Sequence, residues 1–114
     1  MIAHIVLFRL RPDLPPADRE ALVAAFETAL RSIPTIRRAR VGARVRIGRA
    51  YEAMMRADYP YAAVLEFDDR AGLSDYLEHP SHERLAAQFF NAFEDALMYD
   101  FELSDGTAVL VSAH

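Results

Sequence analysis

Two histidines and a tyrosine fall within one short run of this chain, Tyr76-Leu77-Glu78-His79-Pro80-Ser81-His82. An imidazole with a pKa near ~6.5 can take a proton at neutral pH, and a phenol hydroxyl can hold a carbonyl or enolate oxygen. With His82 as base and Tyr76 as oxyanion donor, the pair could abstract a proton beside a carbonyl. It would serve an intramolecular aldol closure if a dry cavity folded a flexible substrate on itself. His4 is a third candidate, set between Ile2 and Val6 on an apolar stretch, where a buried imidazole must find a partner. It is expected either to orient the other two residues or to be a satisfied core histidine.

Each of these residues also has a structural reading. His79 can close a helix, where the dipole at the C-terminal end favours it. His82 can bond the connecting backbone, and Tyr76 can sit in the core with its hydroxyl at the surface. A metal is not expected. His79 and His82 lie three apart, but Pro80 breaks the helix that would align them, and no third ligand follows at a recognisable spacing. Glu78 and Glu83 have capping or surface explanations.

Composition narrows the chemistry further. The 114 residues, 53% hydrophobic and 26% charged, suit one folded domain without staples. There is no cysteine, which removes disulfides, thiolate zinc sites and a cysteine nucleophile. All 13 basic residues are arginine, which removes Schiff-base chemistry on lysine. Gly42 and Gly48 make no phosphate-cradling pattern, so no cofactor is expected. The net charge of -4 speaks against nucleic acid as the main partner. No apolar stretch reaches membrane-spanning length and no secretory leader pattern is seen, so a cytoplasmic protein is expected.

The elements that must position these side chains follow from periodicity. Residues 2–10 alternate as a strand, with Ile2, His4, Val6, Phe8 and Leu10 on one face and Ile5, Leu7 and Arg9 on the other. Leu22, Phe26, Leu30 and Ile33 recur at helical steps over 17–33, and Pro34 ends that helix. Residues 37–48 alternate again, Val41, Ala43, Val45 and Ile47 opposite Arg38, Arg40, Arg44 and Arg46. The arginines of this run are read as a solvated face or an inter-subunit row of ion pairs. Residues 49–60 show no period and are expected to be a loop with one helical turn. Residues 61–69 make a third strand, with Tyr61, Ala63, Leu65 and Phe67 on one face.

Asp68 or Asp69 can cap a short helix to about Glu78, which His79-Pro80 ends. Ser81 is expected to cap the next helix, whose Leu85, Phe89, Phe93 and Leu97 form a four-step stripe. A last strand is expected at 99–103. Residues 1–104 are thus read as one domain and 105–114 as a tail, with a turn at Asp105-Gly106 and a strand-like 107–113. The order is β-α-β-β-α-β, an α+β ferredoxin-like pattern with its second helix split. One sheet face would stay apolar and uncovered, which a symmetric homodimer packing sheet on sheet would bury.

The opening run 4–8 (HIVLF), the helix ending Ile33-Pro34, the strand 63–67 (AVLEF) and the run 75–82 (DYLEHPSH) together resemble the Dabb, or stress-responsive α/β-barrel, domain over roughly residues 2–103. The resemblance implies a dimeric α/β barrel with a cavity between sheet and helices in each subunit. Function varies within that family. Several members are associated with stress responses, and a few are polyketide cyclases, with olivetolic acid cyclase a distant example. The cyclases' active-site tyrosine and histidine would be Tyr76 and His82, and their strand-one histidine His4.

The expected function is a site for a small hydrophobic carbonyl compound, walled by Val6, Phe8, Leu22, Phe26, Ala63, Leu85 and Phe93 beside His4. Cofactor-free cyclase or lyase chemistry would follow. The alternatives are a non-enzymatic stress or interaction protein, or a monooxygenase of a related dimeric barrel, for which no haem ligand or substrate signature is present.

Overall fold

In the computed structural model, which describes residues 1–111, the β-branched and aromatic run Ile2–Leu10 forms β1 at the centre of a four-stranded sheet. Pro16 opens helix α1, Pro16–Ser32, at its first turn, where a missing N–H costs nothing. Ile33 closes that helix in extended geometry, immediately before Pro34. The strand β2, Arg38–Ala43, is followed by a loop with one short helix, α2, Ala50–Met54. Then come β3, Tyr61–Phe67, two consecutive helices, α3, Arg70–Glu78, and α4, Pro80–Ala92, and finally β4, Phe93–Glu102.

The sheet order is β2-β3-β1-β4 with every pair antiparallel. Both long helices lie over one face, the α+β ferredoxin-like arrangement. Phe67, Leu65, Ala29, Ile33 and Tyr76 are almost wholly buried between sheet and helices.

Four expectations need correction. The stripe through Leu85, Phe89, Phe93 and Leu97 does not stay helical. The helix α4 ends at Ala92, and Phe93 and Leu97 belong to β4, which starts six residues earlier than the expected 99. The cap of α4 is His79 and not Ser81: Pro80 occupies the first helical position, and the His79 Nδ1 accepts the Ser81 N–H at 3.0 Å. Residues 108–110 form a single 3₁₀ turn after Gly106, not a strand, while 112 and 113 lie outside the described residues. The second strand stops at Ala43, because Arg44 and Arg46 turn to Asp58 at 2.6 and 3.1 Å and close the following loop on itself.

Four of the six arginines in 37–49 are paired with carboxylates among the described residues. Arg37 bonds Asp68 at 2.8 Å and Arg40 bonds Glu66 at 3.2 Å, alongside the two pairs to Asp58. The Arg44 guanidinium, with Arg46 and Arg9 nearby, holds the Asp58 carboxyl below its ordinary value.

Candidate active site

The strand β1 sends His4, Val6, Phe8 and Leu10 toward the helices, as its alternation requires. Its register carries this face across the sheet. His4 lies opposite Asp100, Val6 opposite Met98 and Phe8 opposite Ala96 on β4, and His4, Val6 and Phe8 lie opposite Leu65, Ala63 and Tyr61 on β3. Above this face α1 contributes Leu22 and Phe26, and α4 contributes Leu85 and Phe89. Together they enclose a largely apolar pocket of about 630 Å³. Six of the expected wall residues, Val6, Phe8, Leu22, Phe26, Ala63 and Leu85, line it, as does His4. Phe93 does not. It opens β4 and stacks on Phe89 with ring centres 4.7 Å apart.

Tyr76 and His82 converge on this pocket although they belong to different helices. Asp69 caps α3 by accepting the Gly72 N–H at 2.8 Å, so the helix presents Tyr76 inward to the core. His79 is extended between the two helices, and the first turn of α4 sets His82 on the same wall. The Tyr76 and His82 rings meet edge to face at 4.6 Å, and the His4 ring lies 5.8 Å from Tyr76. His79 stays outside this wall, occupied in the cap.

The electrostatics suit two different roles. Burial pushes the Tyr76 hydroxyl up to about 12, so the phenol stays protonated and able to donate. Among the described residues that hydroxyl has no protein partner, and its ring lines the pocket. For His82, burial disfavours the charged ring, and His4 nearby disfavours it further. A hydrogen bond with the Leu77 backbone opposes both effects, and the net shift is downward. The neutral, proton-accepting imidazole is therefore the dominant form at neutral pH.

Behind them, His4 Nδ1 meets Asp100 Oδ1 at 2.5 Å, with the His4 side chain 11% exposed. Asp100 is the residue that sequence reasoning missed. Its signal was the even spacing of Ala96, Met98 and Asp100, which puts a carboxylate on the inner face of β4 opposite His4. The sequence reading also left out Met98 and Phe89 as wall residues, and Arg19 and Glu27, which both border the pocket from α1. No group of metal-ligating side chains is found among the described residues. No described helix is long and apolar enough to cross a membrane.

Comparison with known proteins agrees with this architecture. A profile of the stress-responsive A/B barrel domain, Dabb, matches residues 2–103. No curated protein matches. Among solved structures, the chain is similar to a dimeric ferredoxin-like protein of unknown function from Thermobifida fusca YX. That similarity has 25% identity and a TM-score of 0.68 and covers 90% of each chain. It is also similar to a hydroxynitrile lyase from Passiflora edulis, with 19% identity and a TM-score of 0.75, covering 92% of this chain and 94% of that one. A third structure, a Dabb family protein with a ferredoxin-like fold from Mesorhizobium loti, has 19% identity and a TM-score of 0.70, covering 90% and 96%. At 19% identity, the last two speak to the fold alone.

Proposed function

The chain belongs to the stress-responsive A/B barrel domain (Dabb) family, and on that premise we propose that its pocket takes a small, largely apolar carbonyl compound and moves protons on it without a cofactor. The observation that carries this reading is the 4.6 Å contact of Tyr76 with His82 on the wall of a largely apolar pocket. A structural role accounts for His79 and Ser81. It does not account for a core tyrosine whose hydroxyl has no partner among the described residues.

In this reading the neutral His82 takes a proton from the carbon beside the carbonyl. The C–H electron pair moves into a carbon–carbon double bond, and the carbonyl oxygen gains the charge that the Tyr76 hydroxyl holds. The enolate carbon then attacks a second carbonyl of the same molecule, forming the ring bond, and the new alkoxide takes the proton back from His82. No atom is gained or lost and no oxidant is needed. Run backward, the same steps break a carbon–carbon bond, the lyase direction. His4, held by Asp100, fixes the floor beneath Tyr76 and is a positioning residue.

The functional unit in this proposal is a homodimer. The outer sheet face carries Ile5 and Leu7 beside Leu97, Tyr99 and Phe101, the last three 38%, 57% and 48% exposed. A continuous apolar strip of this kind on a sheet is normally covered. A second copy meeting it sheet to sheet would cover it, and the description of the Thermobifida fusca relative as dimeric supports this.

The test is binding. Titration of the protein with an alkyl-aryl β-diketone, followed by NMR, is expected to shift the His82 imidazole and Tyr76 ring signals together and saturably. Saturable binding that leaves both rings unmoved, or no binding at all, would refute the proposal.

A further inference from the structure

The pocket is long, and its two ends differ chemically. On β1 the pocket-facing residues run from His4 to Leu10, about 20 Å at ~3.3 Å per residue. His4, Tyr76 and His82 mark one end. The other end is set by topology. Only residues 11–15 join β1 to α1, and the Arg11 N–H bonds the Ala92 carbonyl at 2.9 Å. The first turns of α1 and the last turn of α4 therefore both lie beside Leu10. Arg19, Phe89 and Phe90 border the pocket there.

Among the described residues, Arg19 is the one arginine that borders this pocket. Its guanidinium has no ion pair or hydrogen bond among the described residues, whereas Arg11 close by is held by Asp13 at 3.2 Å and by the Asn91 carbonyl at 2.8 Å. Glu27 borders the same pocket two turns further along α1, about 12 Å nearer the histidine end. The charges thus run positive at the far end and negative toward the chemistry, along a wall that is otherwise apolar. An amphiphile with a carboxylate would gain at Arg19 and be repelled by Glu27 in the reversed pose.

We infer that Arg19 selects the substrate class, and that the pocket takes a medium-chain diketo acid lying lengthwise. Its two ketones sit at the Tyr76 and His82 end, its chain runs along Val6, Phe8 and Phe26, and its carboxylate pairs with Arg19. This inference rests on the proposed carbonyl chemistry and deepens it. Arg19 touches the substrate's remote end and takes no part in bond making.

The test uses three probes of one chain length: a fatty acid with a methyl ketone at its far end, the methyl ester of that acid, and the plain methyl ketone. Binding to the wild-type protein is measured by calorimetry, with the His82 ring followed by NMR. The acid is expected to bind about fivefold more tightly than the ester, the preference shrinking with added salt. Arg19→Gln should make acid and ester equal, and Arg19→Glu should make the acid the weaker ligand, with ester and plain ketone unaffected by either change. Equal affinities of acid and ester in the wild type, or a preference that survives Arg19→Glu, would overturn the inference and leave the carbonyl site standing. Failure of all three probes to bind would overturn both.

Discussion

The Tyr76 ring meets the His82 imidazole edge to face at 4.6 Å, although one closes α3 and the other opens α4. The proline between them is what makes this possible. A continuous helix would turn residues six apart to different faces, while the extended His79 between two helices returns the chain to one wall.

The downward shift of His82 has a consequence for stability. In the unfolded chain this imidazole takes a proton near ~6.5, and in the folded protein only at lower pH. Between those values the unfolded state binds more protons, so stability falls as pH drops from about 6.5 toward the folded value and is unaffected above it. Thermal melts from pH 8 down to 5 (both about) should show this slope in the wild type and a shallower one in His82→Gln. Identical slopes would mean that the folded environment leaves His82 unshifted.

His79 should separate structure from chemistry. Its ring accepts the Ser81 N–H at the start of α4, so His79→Ala should cost about 1 kcal/mol of stability. Because His79 does not border the pocket, ligand affinity measured well below the melting range should be unchanged. A loss of affinity in folded His79→Ala would move this residue into the site.

Asp100 is expected to act through His4. Removing the carboxylate in Asp100→Ala leaves the mostly buried Nδ1 without its 2.5 Å partner, at a cost of about 1–3 kcal/mol. The His4 ring nitrogens should change their NMR shifts and any proton transfer at the site should slow by ~10²-fold through misplacement. Asp100→Asn, which keeps a hydrogen-bonding oxygen, should recover part of both. An unchanged His4 spectrum in Asp100→Ala would show that the pair does not hold in solution.

The outer sheet face gives a prediction about assembly. The wild-type protein should run as a dimer in light scattering, and the paired change Leu97→Glu with Tyr99→Glu should give a folded monomer, since it buries like charges at the centre of the strip. A monomeric wild type at micromolar concentration would contradict the covered-face argument.

Much of this was legible from local pattern. The inner faces of β1 and β3 follow from strict alternation, which depends only on neighbours two apart. The stripe at Leu85, Phe89, Phe93 and Leu97 misleads for a simple reason: a step of four is helical, and it is also an even number. Plain alternation would put Phe93 and Leu97 on one face of a strand as readily as on one face of a helix. Pairing with β1 decides, and its register shift at Arg9/Leu10 sets Phe93 opposite Leu10, apart from Leu97 opposite Leu7. Ser81 is the commoner capping residue, but Pro80 at the first helical position shifts the cap back to His79. The His4–Asp100 contact joins residues 96 apart, set by the β1–β4 register, which no local pattern states. Convergence of Tyr76 and His82 depended likewise on the angle between α3 and α4.

The central claim, that Tyr76 and His82 move a proton beside a bound carbonyl, is tested most directly by hydrogen–deuterium exchange at the α-carbon of an alkyl-aryl β-diketone in heavy water, read by proton NMR. The wild type should accelerate exchange over buffer, His82→Gln should lose this by ~10²-fold or more, and Tyr76→Phe should lose ~10²–10³-fold. Tyr76→Phe should also melt within about 0.5 kcal/mol of the wild type, because it removes a hydroxyl that has no hydrogen bond among the described residues. Exchange no faster than buffer in a wild-type protein shown to bind the diketone, or exchange that persists in both folded variants, would contradict the account.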